Sequence, residues 1–164
     1  MTVMVAGTSE RMLVARVGSE YFAFRLADVL EAVDAPVIAP VPLMPRGVLG
    51  QITHRGQLLP VLDPRAVLGV AREGVGREGV GREGAACEGT VLVMVPAGTP
   101  FALGVDDVTD MITVDAGATR ALPAGVDRTG VLTGLLAIDH MLVGAVDIAA
   151  FRTAAGSLLT TGMR

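Results

Sequence analysis

The side chains able to do chemistry are few. His54, Asp63, Asp139, His140 and Asp147 are the acid–base or metal candidates, and Cys87 is the one thiol. Nucleophilic or metal chemistry needs such groups at set spacings, and no GxSxG, HExxH or CxxC occurs. A lone cysteine can form no internal disulfide and has no partner at metal-ligand spacing, so Cys87 reads as a tolerated loop thiol. His54 and His140 each sit beside an expected turn, so both are expected at solvent-facing tips. Asp63 and Asp147 directly precede short helical patterns, where a carboxylate caps free backbone N–H groups. The residues therefore supply no catalytic constellation: the chain reads as a protein that is not an enzyme, with no metal and no cofactor.

Binding chemistry is better served. In GQITHRGQLLPVLD (Gly50 to Asp63) an arginine stands at a glycine turn between two apolar runs. A guanidinium there offers a forked donor that keeps its charge at physiological pH. Val29 follows Asp28 and precedes Glu31 by two residues; on a helical turn or bend it would expose an apolar side chain beside a carboxylate.

The elements that position these groups are β-rich. The 164 residues carry a net charge of −4 with no basic stripe, which excludes a nucleic-acid backbone as partner. No apolar run of membrane-spanning length lacks charges, so direct membrane insertion is not expected. The first residues show no basic leader or signal-length apolar segment, which points to the cytoplasm. Lys, Asn and Trp are all absent. Arg72 to Ala86, REGVGREGVGREGAA, is a near-threefold pentapeptide repeat whose composition cannot bury a core, and it reads as a flexible linker.

The segments on either side of it resemble each other. LVARVGSEYFAFRLADVLEAV (Leu13 to Val33) aligns without a gap with LVMVPAGTPFALGVDDVTDMI (Leu92 to Ile112), matching Phe22-Ala23 with Phe101-Ala102, Asp28-Val29 with Asp107-Val108, and Glu31 with Asp110. Gly47-Val48-Leu49 echoes Gly130-Val131-Leu132, and after a one-residue slip Leu62-Asp63 echoes Val146-Asp147. Each copy has two short strands around a glycine turn (Gly18 or Gly98), then a bend. The prolines of Pro36 to Pro45 forbid a central strand or helix, leaving an extended surface crossing. Helical patterns are confined to Pro64 to Leu68 and to Ile148 to Leu159, where Ile148, Phe151, Ala155 and Leu158 or Leu159 share a face. Short strands, turn signals and duplication together predict two small closed barrels side by side.

The pattern FAF-x-L-x-DV-x-E, a proline-rich crossing, and GVLGQITHRGQLLPVLDPRAVLG resemble the CheW-like domain of bacterial chemotaxis proteins. So do GVDDVTDMITV and TGLLAIDHMLVGAVDI in the second copy. The resemblance runs from about residue 11 to 159, and the length is similar to a free-standing CheW. It implies a mainly β fold of two small SH3-like five-stranded barrel subdomains, intertwined around a shared core, with short helices and a C-terminal helix. The expected division is subdomain 1 at about 11–71, the linker at 72–89, subdomain 2 at about 90–147 and the helix at about 148–159. Two departures stand out: Thr53-His54 replaces the family's usual Asn-Leu before Arg-Gly, and the linker is longer than is common.

The resemblance also implies a role. Val29, Glu31, Gly50 and Arg55 inherit candidate contacts to the cytoplasmic tip of a chemoreceptor. The histidine kinase CheA, through its CheW-like regulatory domain, is the other expected partner. The implied function is a chemotaxis adaptor, cytoplasmic and recruited to membrane receptor arrays through its partners. The alternative is a scaffold of a related pathway, such as surface motility or second-messenger control; an enzyme and a small-ligand barrel are the other classes.

Overall fold

The computed structural model describes residues 8–34, 36–45, 47–70, 89–95, 100–115, 117–125 and 129–161, the last four by backbone alone. The Gly-rich segment 72–86, Cys87 and Gly98 lie outside the described residues. The chain runs β1 (Ser9–Val17), β2 (Glu20–Arg25), a 3-10 turn (Leu26–Asp28), β3 (Val29–Asp34), β4 (Val48–His54), β5 (Gln57–Leu62) and α1 (Pro64–Leu68). It continues through β6 (Thr90–Met94), β7 (Phe101–Val105), β8 (Asp107–Asp115), β9 (Leu132–Ile138), β10 (Met141–Val146) and α2 (Ile148–Thr161).

The strands form two five-stranded sheets, ordered β8-β1-β2-β10-β9 and β3-β6-β7-β5-β4. These orders are copies of each other. Leu13 pairs with Phe24 as Leu92 pairs with Leu103. The parallel contact of Ala23 with Ala145 has its counterpart in Ala102 with Val61. The duplication read from sequence is thus a duplication of register. The sheets do not, however, follow the expected division at 11–71 and 90–147. Each takes the first two strands of one repeat and the last three of the other, so the repeats exchange their leading hairpins. A hairpin buried on both faces needs two different neighbours, and the exchange supplies them. Leu13, Ala15 and Val17 of β1 enter a core shared by both sheets, while Met12 and Val14 enter a core belonging to one. The apolar runs therefore lack polar alternation.

One alignment shifts by a residue. Asp63 N–H donates to Gly47 O (2.7 Å) and Asp147 N–H to Val131 O (2.8 Å), so Gly47 is the counterpart of Val131 rather than Gly130. The ladders also do not close by hydrogen bonds: β3 and β4 end one sheet, β8 and β9 the other.

The shared core includes Phe24, Leu92, Met94, Leu103 and Phe151, all fully buried, and Phe151 stacks on Phe101 with ring centroids 6.2 Å apart. Burying a side chain of this size contributes about 1.5–3 kcal/mol. The helix that delivers Phe151 starts at Asp147, whose Oδ1 accepts Ala149 N–H (3.0 Å) and Ala150 N–H (3.2 Å). Asp63 Oδ1 likewise accepts Arg65 N–H (3.0 Å), and Gly69 ends α1 in a left-handed conformation. Both carboxylates are caps, as their positions in the sequence predict. Ile148, Phe151 and Ala155 lie on the buried side of α2, which runs two residues beyond its expected end. No described helix is long and apolar enough to cross a membrane.

Candidate functional site

The β4–β5 hairpin carries the Arg-Gly turn. His54 pairs with Gln57, leaving a two-residue loop in which Arg55 (φ 48) and Gly56 (φ 78) are both left-handed. This is the backbone of a type I′ turn, whose twist matches the flanking strands. The same geometry recurs in the other sheet at Asp139 (φ 43) and His140 (φ 70). Arg55 is exposed, and among the described residues its guanidinium has no ion-pair partner.

His54 is not at the tip. As the last residue of β4 its side chain is only 12% exposed, and Nε2 lies 2.6 Å from Glu31 Oε2. A carboxylate only accepts, so Nε2 carries the shared proton. This contact spans the sheet, because Glu31 belongs to β3 and His54 to β4, the two terminal strands. The hydrogen bond from His54, aided by the charges of His54 and Arg55 and opposed by partial desolvation, holds the Glu31 carboxyl below its ordinary value.

Two other candidates have different places from those expected. Val29 is not on a helical turn: it opens β3 and its half-buried side chain packs against the shared core. A bulge between Val29 and Glu31 makes Leu30 the extra residue, and Leu30 is the exposed apolar side chain there, at 49%. Gly50 is buried. A Cβ on it would meet the Ile38 side chain and lie 2.5 Å from Ala39 O, and its φ of 153 also favours glycine. The proline-rich segment crosses at this point, bonded by Ala39 N–H to Gln51 O (2.8 Å) and Gln51 N–H to Ala39 O (2.9 Å), with Ile38 buried beneath. Gly134 repeats the arrangement against Arg120 O. The structure thus brings Glu31 and Arg55 together at one end of a sheet, puts Val29 beneath it, and gives Gly50 a packing role.

Sequence reading missed Leu30, Leu58 (67% exposed, paired with Thr53) and the hold of His54 on Glu31. The available signal was the duplication itself: His54 occupies the place of apolar Ile138, and a titratable group in an apolar slot marks a special contact.

A second polar cluster joins the two sheets. Asp106, just after β7, takes both Oδ atoms to Arg65 Nη2 (2.9 and 2.8 Å) and accepts Gly18 N–H from the β1–β2 turn (2.5 Å). Arg16 Nη1 stands 4.0 Å from the same carboxylate and donates to Gly18 O. A cleft of about 270 Å³ opens beside Arg16, Arg65 and Asp106, with its polar groups already paired to one another. The acid–base candidates do not converge: Asp63 and Asp147 cap helices, His54 holds Glu31, and Asp139 and His140 form the turn of the other sheet. Among the described residues no three His, Cys, Asp or Glu groups could hold a metal ion.

The CheW-like domain model matches residues 11–155. The chain belongs to the CheW-like domain family. It is also similar to the scaffolding protein TtCheW from Thermoanaerobacter tengcongensis, whose crystal structure superposes with a TM-score of 0.71 at 19% identity, covering 90% of each chain. At that identity the likeness speaks to the fold, which it shares. Protein FrzA of Myxococcus xanthus is 40% identical over 58 residues, 30% of this chain and 36% of FrzA. The chain thus matches little more than a third of that relative's length.

Proposed function

We propose that this CheW-like protein is an adaptor that couples the cytoplasmic tip of a chemoreceptor, a methyl-accepting chemotaxis protein, to the histidine kinase CheA, with no chemistry of its own. The observation that carries this reading is the end of the β3-β6-β7-β5-β4 sheet. There a guanidinium with no ion pair among the described residues stands at a type I′ turn near the Glu31 carboxylate, with exposed Leu30 on β3 and Leu58 on β5. A few charged groups around exposed apolar side chains are what a helical partner needs for recognition. Glu31 and Arg55 are the direct contacts in this reading, and Val29 and Gly50 support them from beneath.

The kinase contact falls elsewhere on the fold, so both partners bind at once and the adaptor fixes their relative geometry. It acts in the cytoplasm and reaches receptor arrays through those partners. The test is a pull-down with a receptor cytoplasmic fragment and the kinase regulatory domain, each alone and together. The adaptor reading expects each to bind alone and a ternary complex when both are present. Mutually exclusive binding, or no binding to either, contradicts it. Partners from a motility or second-messenger pathway captured in their place would point to the same adaptor chemistry serving a related system.

A further inference from the structure

We propose that His54 is a positioning residue of this surface. By holding Glu31 it leaves the Arg55 guanidinium free for an acidic group of the partner. The inference rests on the receptor reading of the same site.

Glu31 has two cationic neighbours, His54 within β4 and Arg55 in the adjoining turn. A carboxylate beside both could neutralise either. The geometry gives it to His54 at 2.6 Å, and Arg55 is left without an ion pair among the described residues. The second repeat serves as an internal control. Ile138 occupies the position of His54, pairing with Met141 as His54 pairs with Gln57, and packs against the core of its own sheet. Asp110, the counterpart of Glu31, turns its carboxylate to Met111 N–H (2.7 Å). Among the described residues, that end of the fold is therefore built without an ion pair. An apolar side chain suffices for packing there, so the histidine in the first repeat answers a different need.

Without the hydrogen bond from His54, the Glu31 carboxylate is released toward Arg55 and competes with the partner's carboxylate. Affinity for an acidic partner then falls.

The test measures binding of a chemoreceptor cytoplasmic-tip fragment to the wild type, His54→Leu and His54→Gln. His54→Leu should bind about threefold more weakly than the wild type, the size expected for an exposed ion pair. His54→Gln, which keeps a neutral donor, should bind near the wild-type level. In the free protein, NMR titration of the Glu31 carboxyl should move to higher pH in His54→Leu. Equal affinity in wild type and His54→Leu, or an unmoved Glu31 titration, overturns the role of His54 while leaving the receptor reading intact. A fragment that fails to bind the wild type overturns the receptor reading, and this role with it.

Discussion

Gly50→Ala separates a packing residue from a contact residue. The added methyl would stand 2.5 Å from Ala39 O, well inside van der Waals contact, and would press on Ile38. The crossing segment must move away, which breaks the reciprocal bonds of Ala39 and Gln51 at 2.8 and 2.9 Å. At about 1 kcal/mol net for each bond, and about 1–3 kcal/mol for an L-residue forced to a positive φ, the loss is about 3–5 kcal/mol. For a domain of this size that lowers Tm by about 6–20 °C. Gly134→Ala provides the control, because its Cβ would lie 2.6 Å from Arg120 O in the other sheet, far along the chain from any candidate contact. Both variants should lose stability in thermal melts followed by circular dichroism, Gly134→Ala by about 2 kcal/mol for the two bonds of Arg120 and Leu135 alone, since Gly134 does not have the positive φ of Gly50. A Gly50→Ala protein with wild-type Tm and lost partner binding would refute the packing assignment and restore Gly50 as a contact.

Asp106→Ala removes three hydrogen bonds between β7, α1 and the β1–β2 turn; because the carboxylate and Arg65 are partly exposed, the loss should be about 2–3 kcal/mol, measured by urea unfolding. Asp147→Ala should cost about 1 kcal/mol as a lost cap, and Asp63→Ala more, because Asp63 is 3% exposed and also faces Arg65 Nη1 at 3.6 Å; equal losses would argue against the added contact. Glu31 has a lowered pKa in the folded state, so its stabilising contribution is present above its unfolded value and is lost as pH falls through the folded one. The stability gap between wild type and Glu31→Gln should accordingly shrink as denaturation is measured from about pH 6 down to about pH 3, and a constant gap would contradict the pair.

The sequence made the strands, the duplication and both caps legible because each rests on local pattern. Apolar runs such as LVARV, the glycine turns and Asp before a helical stretch all act within a few residues. What stayed hidden depends on pairing across the chain. The exchange of leading hairpins could not be read, since the two repeats have the same pattern whichever partner each hairpin chooses. The site was legible in part. Arg55 followed from its turn, but the place of Val29 hinged on a bulge that reverses which of two adjacent side chains faces out. His54 looked like a tip residue because the turn begins one position later than the histidine suggests. Its link to Glu31 required the ends of a sheet, 23 residues apart in the chain, to curl together.

The proposed adaptor role requires that the end of the β3-β6-β7-β5-β4 sheet face a receptor and that the kinase bind elsewhere. The direct measurement is a parallel titration of a receptor cytoplasmic fragment and of the kinase regulatory domain against wild type and Arg55→Ala. Arg55 is an exposed turn residue with no ion pair among the described residues, so circular dichroism should show an unchanged fold. Losing a charged, forked donor at the contact should weaken the receptor fragment about ten- to a hundredfold, with kinase-domain affinity unchanged. Equal weakening toward both partners, or unchanged receptor affinity, would contradict the proposed division of surfaces.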